Sequence, residues 1–124
     1  MPLVFDLDES RALVRTTADG VVNDEDMIRH VRALAEVHQK CPYKAELIDL
    51  RQIVIGEVTG EAVRQTAEIV SSSPGLRTVD MAFVATEDVV FGLSRMFEML
   101  QVGHEGRIRV FRDMESAEEW LGMA

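Results

Sequence analysis

Met81-Ala82-Phe83-Val84-Ala85 sets five apolar residues in a row with no polar alternation, which is how a strand covered on both faces reads. Such a strand needs cover above and below, and the common solution is a parallel sheet joined by helical crossovers. The neighbouring segments agree. Lys44-Ala45-Glu46-Leu47-Ile48-Asp49-Leu50 reads as a second short apolar strand with Asp49 at its carboxyl end. Arg107-Ile108-Arg109-Val110-Phe111-Arg112 alternates basic and apolar residues, which suits an edge strand that must not recruit a neighbour.

Helices are signalled between these strands. Asn23 is placed to cap the first, with Asp26 three residues on as a short capping-box partner. Met27, Ile28, Val31, Leu34, Ala35 and His38 then recur on one stripe. Thr59 caps a second helix whose buried face is Ala62, Val63, Thr66, Ala67 and Val70, and Ser71-Ser72-Ser73-Pro74-Gly75 stops it. Thr86 is expected to cap the third, with an inward stripe of Val89, Val90, Leu93, Met96, Phe97 and Leu100. Asp113 caps a short fourth helix that buries Met114, Ala117, Trp120 and Leu121. Residues 51–58 read as a loop whose apolar middle, Ile53-Val54-Ile55, folds onto the core as a lid.

The amino-terminal segment reads as a hairpin. Leu3, Phe5 and Leu7 share one strand face, Glu9-Ser10 turns the chain, and residues 12–17 return until Asp19-Gly20 breaks the strand. The expected fold class is therefore α/β: a β-hairpin followed by alternating helices and mostly parallel strands, joined by right-handed crossovers. Residues 1–124 are expected to form one domain, since the length falls slightly short of ~150 residues per domain and nothing resembles a linker or repeat.

Composition limits function. With 47% hydrophobic and 28% charged residues the chain is globular. Its net charge of −9 repels phosphate backbones and anionic lipid heads, which disfavours nucleic acid as a partner. No apolar run approaches the ~20 residues of a membrane span. No secretory signal is apparent in the first ten residues, and a cytoplasmic setting is expected.

No residue pattern identifies a reaction. Cys41 is the single cysteine, and with His30 and His38 it makes a poor zinc set, because a structural site closes with four ligands. Cys41 also sits at a helix end whose dipole does not lower a thiol pKa. His104 is expected to be solvated. Gly56-Glu57-Val58-Thr59-Gly60 leads into a helix, but no Gly-Lys-Ser/Thr follows and Glu57 and Glu61 oppose a phosphate. No cofactor, metal or enzymatic activity is expected.

Two surfaces remain. Ligands of open parallel sheets collect at the carboxyl ends of strands, which here points to Asp49, Arg51 and Thr86, with Glu57 and Thr59 nearby at the start of the second helix. On the third helix, Phe91, Met99 and Val102 point away from the inward stripe, and Gly92 lies near Met99. A glycine inside a helix costs ~1 kcal/mol relative to alanine, which close approach of another backbone would offset. Self-association as a homodimer through this face is expected.

The chain resembles the SpoIIAA-like proteins, a branch of the STAS group (sulfate transporter and anti-sigma-factor antagonist domains) often grouped with CRAL-TRIO lipid-binding domains. The resemblance is carried by Ala45-Glu46-Leu47-Ile48-Asp49-Leu50-Arg51, by Val84-Ala85-Thr86 leading to Leu93-Ser94-Arg95-Met96-Phe97-Glu98, and by Val110-Phe111-Arg112-Asp113 leading to Ala117-Glu118-Glu119-Trp120-Leu121. It implies a right-handed β/α coil. Anti-sigma-factor antagonists carry an Asp-Ser-Ser-Gly step with a phosphorylated serine; here Glu57-Val58-Thr59-Gly60 falls on that step and Val58 replaces the serine. Thr59 is then the hydroxyl left to accept phosphate. The resemblance implies a non-catalytic regulatory or protein-interaction domain. The alternative it implies is a small binding protein for a lipid-like or other apolar ligand, held under Ile53-Val54-Ile55 and the third helix.

Overall fold

A computed structural model describes residues 2–123. Its elements are β1 (Leu3–Asp8), β2 (Leu13–Val22), α1 (Asp24–Lys40), β3 (Ala45–Ile55), α2 (Gly60–Ser72), a 3-10 turn (Leu76–Thr78), β4 (Asp80–Val84), α3 (Asp88–Met99), β5 (Ile108–Phe111) and α4 (Met114–Trp120). The strands form one sheet in the order β1-β2-β3-β4-β5. β1 runs antiparallel to β2, and β2 through β5 are mutually parallel. This is the α/β arrangement expected, with its amino-terminal hairpin.

The period-2 alternation of the strands divides the core in two. Val14, Ile48 and Met81 face α1, α2 and α3, where they meet Val31, Leu34, Val63, Val70 and Phe97. Their immediate neighbours Leu13, Leu47 and Ala82 face the other way, onto Ala117 of α4, with Trp120 and Leu121 packed at its margin. Three helices thus cover one face of the sheet and a single short helix covers the other.

The caps follow the sequence closely, with one exception. Asn23 and Asp26 form a reciprocal capping box, the Asn23 side chain accepting from the Asp26 amide at 3.0 Å and the Asp26 carboxylate from the Asn23 amide at 3.1 Å. Thr59 accepts from Ala62 and Asp113 from Ser116 at the starts of α2 and α4. The third helix differs: its N-cap is Glu87, without a side-chain bond, so Thr86 is not a cap. Val89, expected on the inward stripe, faces outward and is 57% exposed, while Phe91 packs partly inward against the cluster of Val22, Ile53 and Val90.

Two further expectations are corrected. Asp19-Gly20 does not end the second strand, and residues 51–55 are neither loop nor lid. Gln52 to Ile55 continue β3 and pair with Asp19 to Val22 of β2, as the β-branched run Ile53-Val54-Ile55 favours. The register steps from Thr17↔Asp49 to Asp19↔Gln52, so Leu50 and Arg51 both stand opposite Ala18. This bulge resets the alternation of β3, burying Ile53 and leaving Val54 54% exposed. Asp49 therefore lies in mid-strand, at the last β3 residue that pairs with β4.

The lower edge of the sheet is fixed where β4 and β5 begin. His104 is not solvated: its Nε2 lies 2.9 Å from the Val79 carbonyl, to which it donates. Asp80 accepts from the Arg107 amide at 2.8 Å and from its guanidinium at 3.0 Å. Between them, Gly106 runs so close to the end of the 3-10 turn that a Cβ there would lie 2.5 Å from the Val79 carbonyl oxygen and 2.8 Å from that of Thr78. Backbone cannot yield as a side-chain tip can. Gly106→Ala is expected to destabilise the fold by about 1–3 kcal/mol, as overpacking does, measured by urea unfolding; an unchanged midpoint would remove the close approach.

Burial pushes the Asp80 carboxyl up, but the hydrogen bonds and charge of Arg107, with His104 adding to them, outweigh it and hold the group below its ordinary 3.8. A carboxyl lowered on folding adds stability above its unfolded pKa and loses it as pH falls through the folded value. Asp80→Asn is therefore expected to be less stable than the parent near neutral pH. The difference should shrink steadily below about pH 4, followed by urea unfolding at a series of pH values.

Candidate functional site

The face of β3 turned toward the three helices carries Glu46, Ile48 and Leu50 in period-2 succession. Two of these are ordinary core residues. The first is a carboxylate only 4% exposed, in a place where apolar side chains are the rule. Its partners come from two other elements. Thr16 of β2, 1% exposed, donates its hydroxyl proton to Glu46 Oε2 at 2.8 Å. His30 of α1 brings Nε2 to 3.6 Å from the same oxygen and to 3.4 Å from Thr16 Oγ1. The Thr16 proton is committed to Glu46, so the contact between the ring and that hydroxyl requires His30 to donate from Nε2. Phe5 of β1 packs edge-on against the imidazole at 5.8 Å between ring centres.

These three polar side chains border a cavity of about 140 Å³ between the sheet and α1, α2 and α3. Most of its wall is aliphatic or aromatic, with Ile48, Leu50, Ile53, Val63, Leu93 and Phe97 among the contributors. The other two hydroxyls on the wall are satisfied within their own helices: Thr66 donates to the Ala62 carbonyl at 2.8 Å and Ser94 to that of Val90 at 2.9 Å. No lysine or arginine lines the space.

The residues singled out from the sequence lie elsewhere and do not form one rim. Asp49 and Arg51 form a two-point pair, Nε to Oδ1 and Nη2 to Oδ2 both at 2.9 Å, and Arg51 holds the Asp49 carboxyl below its ordinary range. Thr59 engages Asp24 at the start of α1, its amide and hydroxyl each donating to that carboxylate at 2.8 Å. The Glu57 carbonyl accepts from the Asp24 amide at 3.3 Å. The exposed Thr86 accepts through its carbonyl from Arg112 at 3.1 Å. Among the described residues no hydrogen bond or ion pair joins these three groups. Val58 is half-buried and lines the cavity.

On the third helix, Met99 and Val102 are 75% and 83% exposed. Phe91 is half-buried beneath the Arg112 guanidinium, 4.0 Å from its ring centre. A Cβ on Gly92 would meet nothing within 4 Å, so no other part of the chain approaches it. His38 and Cys41 do not converge either. His38 Nε2 lies 3.0 Å from the Tyr43 carbonyl, and Cys41 contacts Glu9 at 3.5 Å; burial and that carboxylate push its thiol up. No group of three or more His, Cys, Asp or Glu side chains among the described residues is arranged to hold a metal ion.

The buried cluster was missed in the sequence, although a signal existed. Glu46 is the lone charge inside Ala45-Glu46-Leu47-Ile48, and the period of two places it on the same face as Ile48. His30 sits one step before Val31 on the buried stripe of α1.

No protein-family model matches the chain, and no curated protein matches it. Among solved structures it is similar to an uncharacterised protein of the DUF3478 family from Shewanella loihica PV-4, which has a SpoIIAA-like fold. The likeness covers 96% of this chain and 91% of that one, with a TM-score of 0.60 and 15% sequence identity. At that identity it speaks for architecture alone. The chain has a SpoIIAA-like fold.

Proposed function

We propose that this chain is a non-catalytic binding domain, STAS-like in architecture, that holds a small and mostly apolar molecule between its sheet and the α1–α3 layer. The observation that supports this reading is the cavity of about 140 Å³. Protein cores are ordinarily packed as densely as organic crystals, and an apolar cavity of ~150 Å³ is known to stay dry and bind benzene. One aromatic ring or a short branched chain is therefore the size class. Of the two functions implied by the resemblance, the apolar-ligand alternative takes precedence over partner docking on this ground.

The regulatory reading retains one point of support. Val58 lines the cavity while its neighbours Glu57 and Thr59 are exposed, so occupancy of the interior bears directly on the surface at the start of α2. Partner docking at Glu57, Thr59, Asp49, Arg51 and Thr86 is then a response to the ligand. A phosphate on Thr59 would displace a hydroxyl that already donates to Asp24 and would place its charge against that carboxylate, which opposes the phosphoswitch.

Titration of the full chain with toluene, followed by carbon-13 methyl spectra, is expected to give saturable shifts concentrated on Ile48, Val63 and Leu93. Val63→Phe is expected to fill the space and abolish those shifts while the protein stays folded. If toluene moves no interior methyl and Val63→Phe instead costs about 1–3 kcal/mol as in a close-packed core, the binding function is refuted.

A further inference from the structure

We infer that the molecule taken up in this cavity bears a protonated amine, which Glu46 receives, and that carboxylate-bearing molecules of the same shape are excluded. This rests on the cavity being a binding site. The argument lies in how the Glu46 carboxylate is partnered. Both of its contacts gather on one oxygen: the Thr16 hydroxyl at 2.8 Å and His30 Nε2 at 3.6 Å approach Oε2. Among the described residues nothing donates to Oε1, although the residue is 4% exposed and borders the cavity. Oε1 is thus the carboxylate oxygen left open to whatever enters the cavity, and a carboxylate in a mostly apolar wall favours a donor there. A donor entering the cavity satisfies that oxygen, and a cationic donor satisfies its charge as well.

The remaining lining narrows the chemistry further. Thr66 and Ser94 have their protons committed to helix carbonyls, so they leave Glu46 as the group that orients a polar head. No lysine or arginine lines the wall, the one imidazole there, His30, is turned to Thr16 and Glu46, and the chain as a whole carries −9. An anionic head therefore meets repulsion and no partner. The apolar body of the ligand packs on the aliphatic and aromatic wall, and its head points to β3.

The test compares three molecules of one skeleton, toluene, benzylamine and benzoate, by methyl-spectrum titration and calorimetry on the full chain. Benzylamine is expected to bind about tenfold tighter than toluene or more, the scale of one hydrogen bond to a charged group, and benzoate is expected to bind more weakly than toluene. Glu46→Gln is expected to erase the amine preference, so that benzylamine binds no tighter than toluene. Thr16→Val, which keeps the carboxylate, is expected to retain the preference; if Glu46→Gln does not fold, the parent series decides alone. Toluene and benzylamine binding equally, or benzoate binding best, would overturn the amine inference and leave the cavity function standing. Failure of all three to reach the interior would overturn both.

Discussion

A two-residue period in β3 governs what every other element can do. It sends Glu46, Ile48 and Leu50 toward three helices and Leu47 toward one, and a slip of a single residue would exchange the two sets. The bulge opposite Ala18 matters for the same reason. β2 keeps strict alternation from Val14 through Thr16 and Ala18 to Val22, all buried. β3 without the extra residue would turn Ile53 and Ile55 to the wrong side of the sheet. With the extra residue, both return to the cavity side, and the two-stranded extension beyond β4 has an apolar underside to close over the helices.

Burying Glu46 on that face is costly. Removing an ion from water costs several kcal/mol even after relaxation, whereas one hydrogen bond to a charged group returns ~1.5–3 kcal/mol. The Thr16 bond alone does not offset the burial, and the His30 contact at 3.6 Å is too long to be a full hydrogen bond. Sites where sequence departs from what stability favours are where function is expected, and this departure sits on the wall of the cavity. Asp49 with Arg51 and Asp80 with Arg107 are different in kind, since both ion pairs are partly exposed and each partner is satisfied.

The parts of the fold legible in the sequence were those set by local chemistry. Asn23, Thr59 and Asp113 cap because their side chains reach amides three residues on, which depends on nothing distant. Met81-Ala82-Phe83-Val84-Ala85 announced a strand covered twice, and α4 on one side with α1–α3 on the other supplied the cover. What escaped was set by pairing. Residues 51–55 are a strand because β2 continues alongside them, and a polar Arg51-Gln52 step at a bulge hides that continuity. The position of Asp49 and Arg51 escaped for the same reason: both lie inside a longer strand and not at its end.

The cavity and the start of α2 are joined through the backbone. Thr59 ties the first turn of α2 to Asp24 at the first turn of α1, and the Asp24 amide donates back to the Glu57 carbonyl. Val58, held between these two attachments, is the residue that reaches the cavity. A hydroxyl in its place would put a polar group against an apolar wall. The valine is therefore consistent with a chain in which this step of the fold serves the interior and not an external kinase. Under the proposed binding reading, occupancy of the core is the means by which the surface above Val58 is informed.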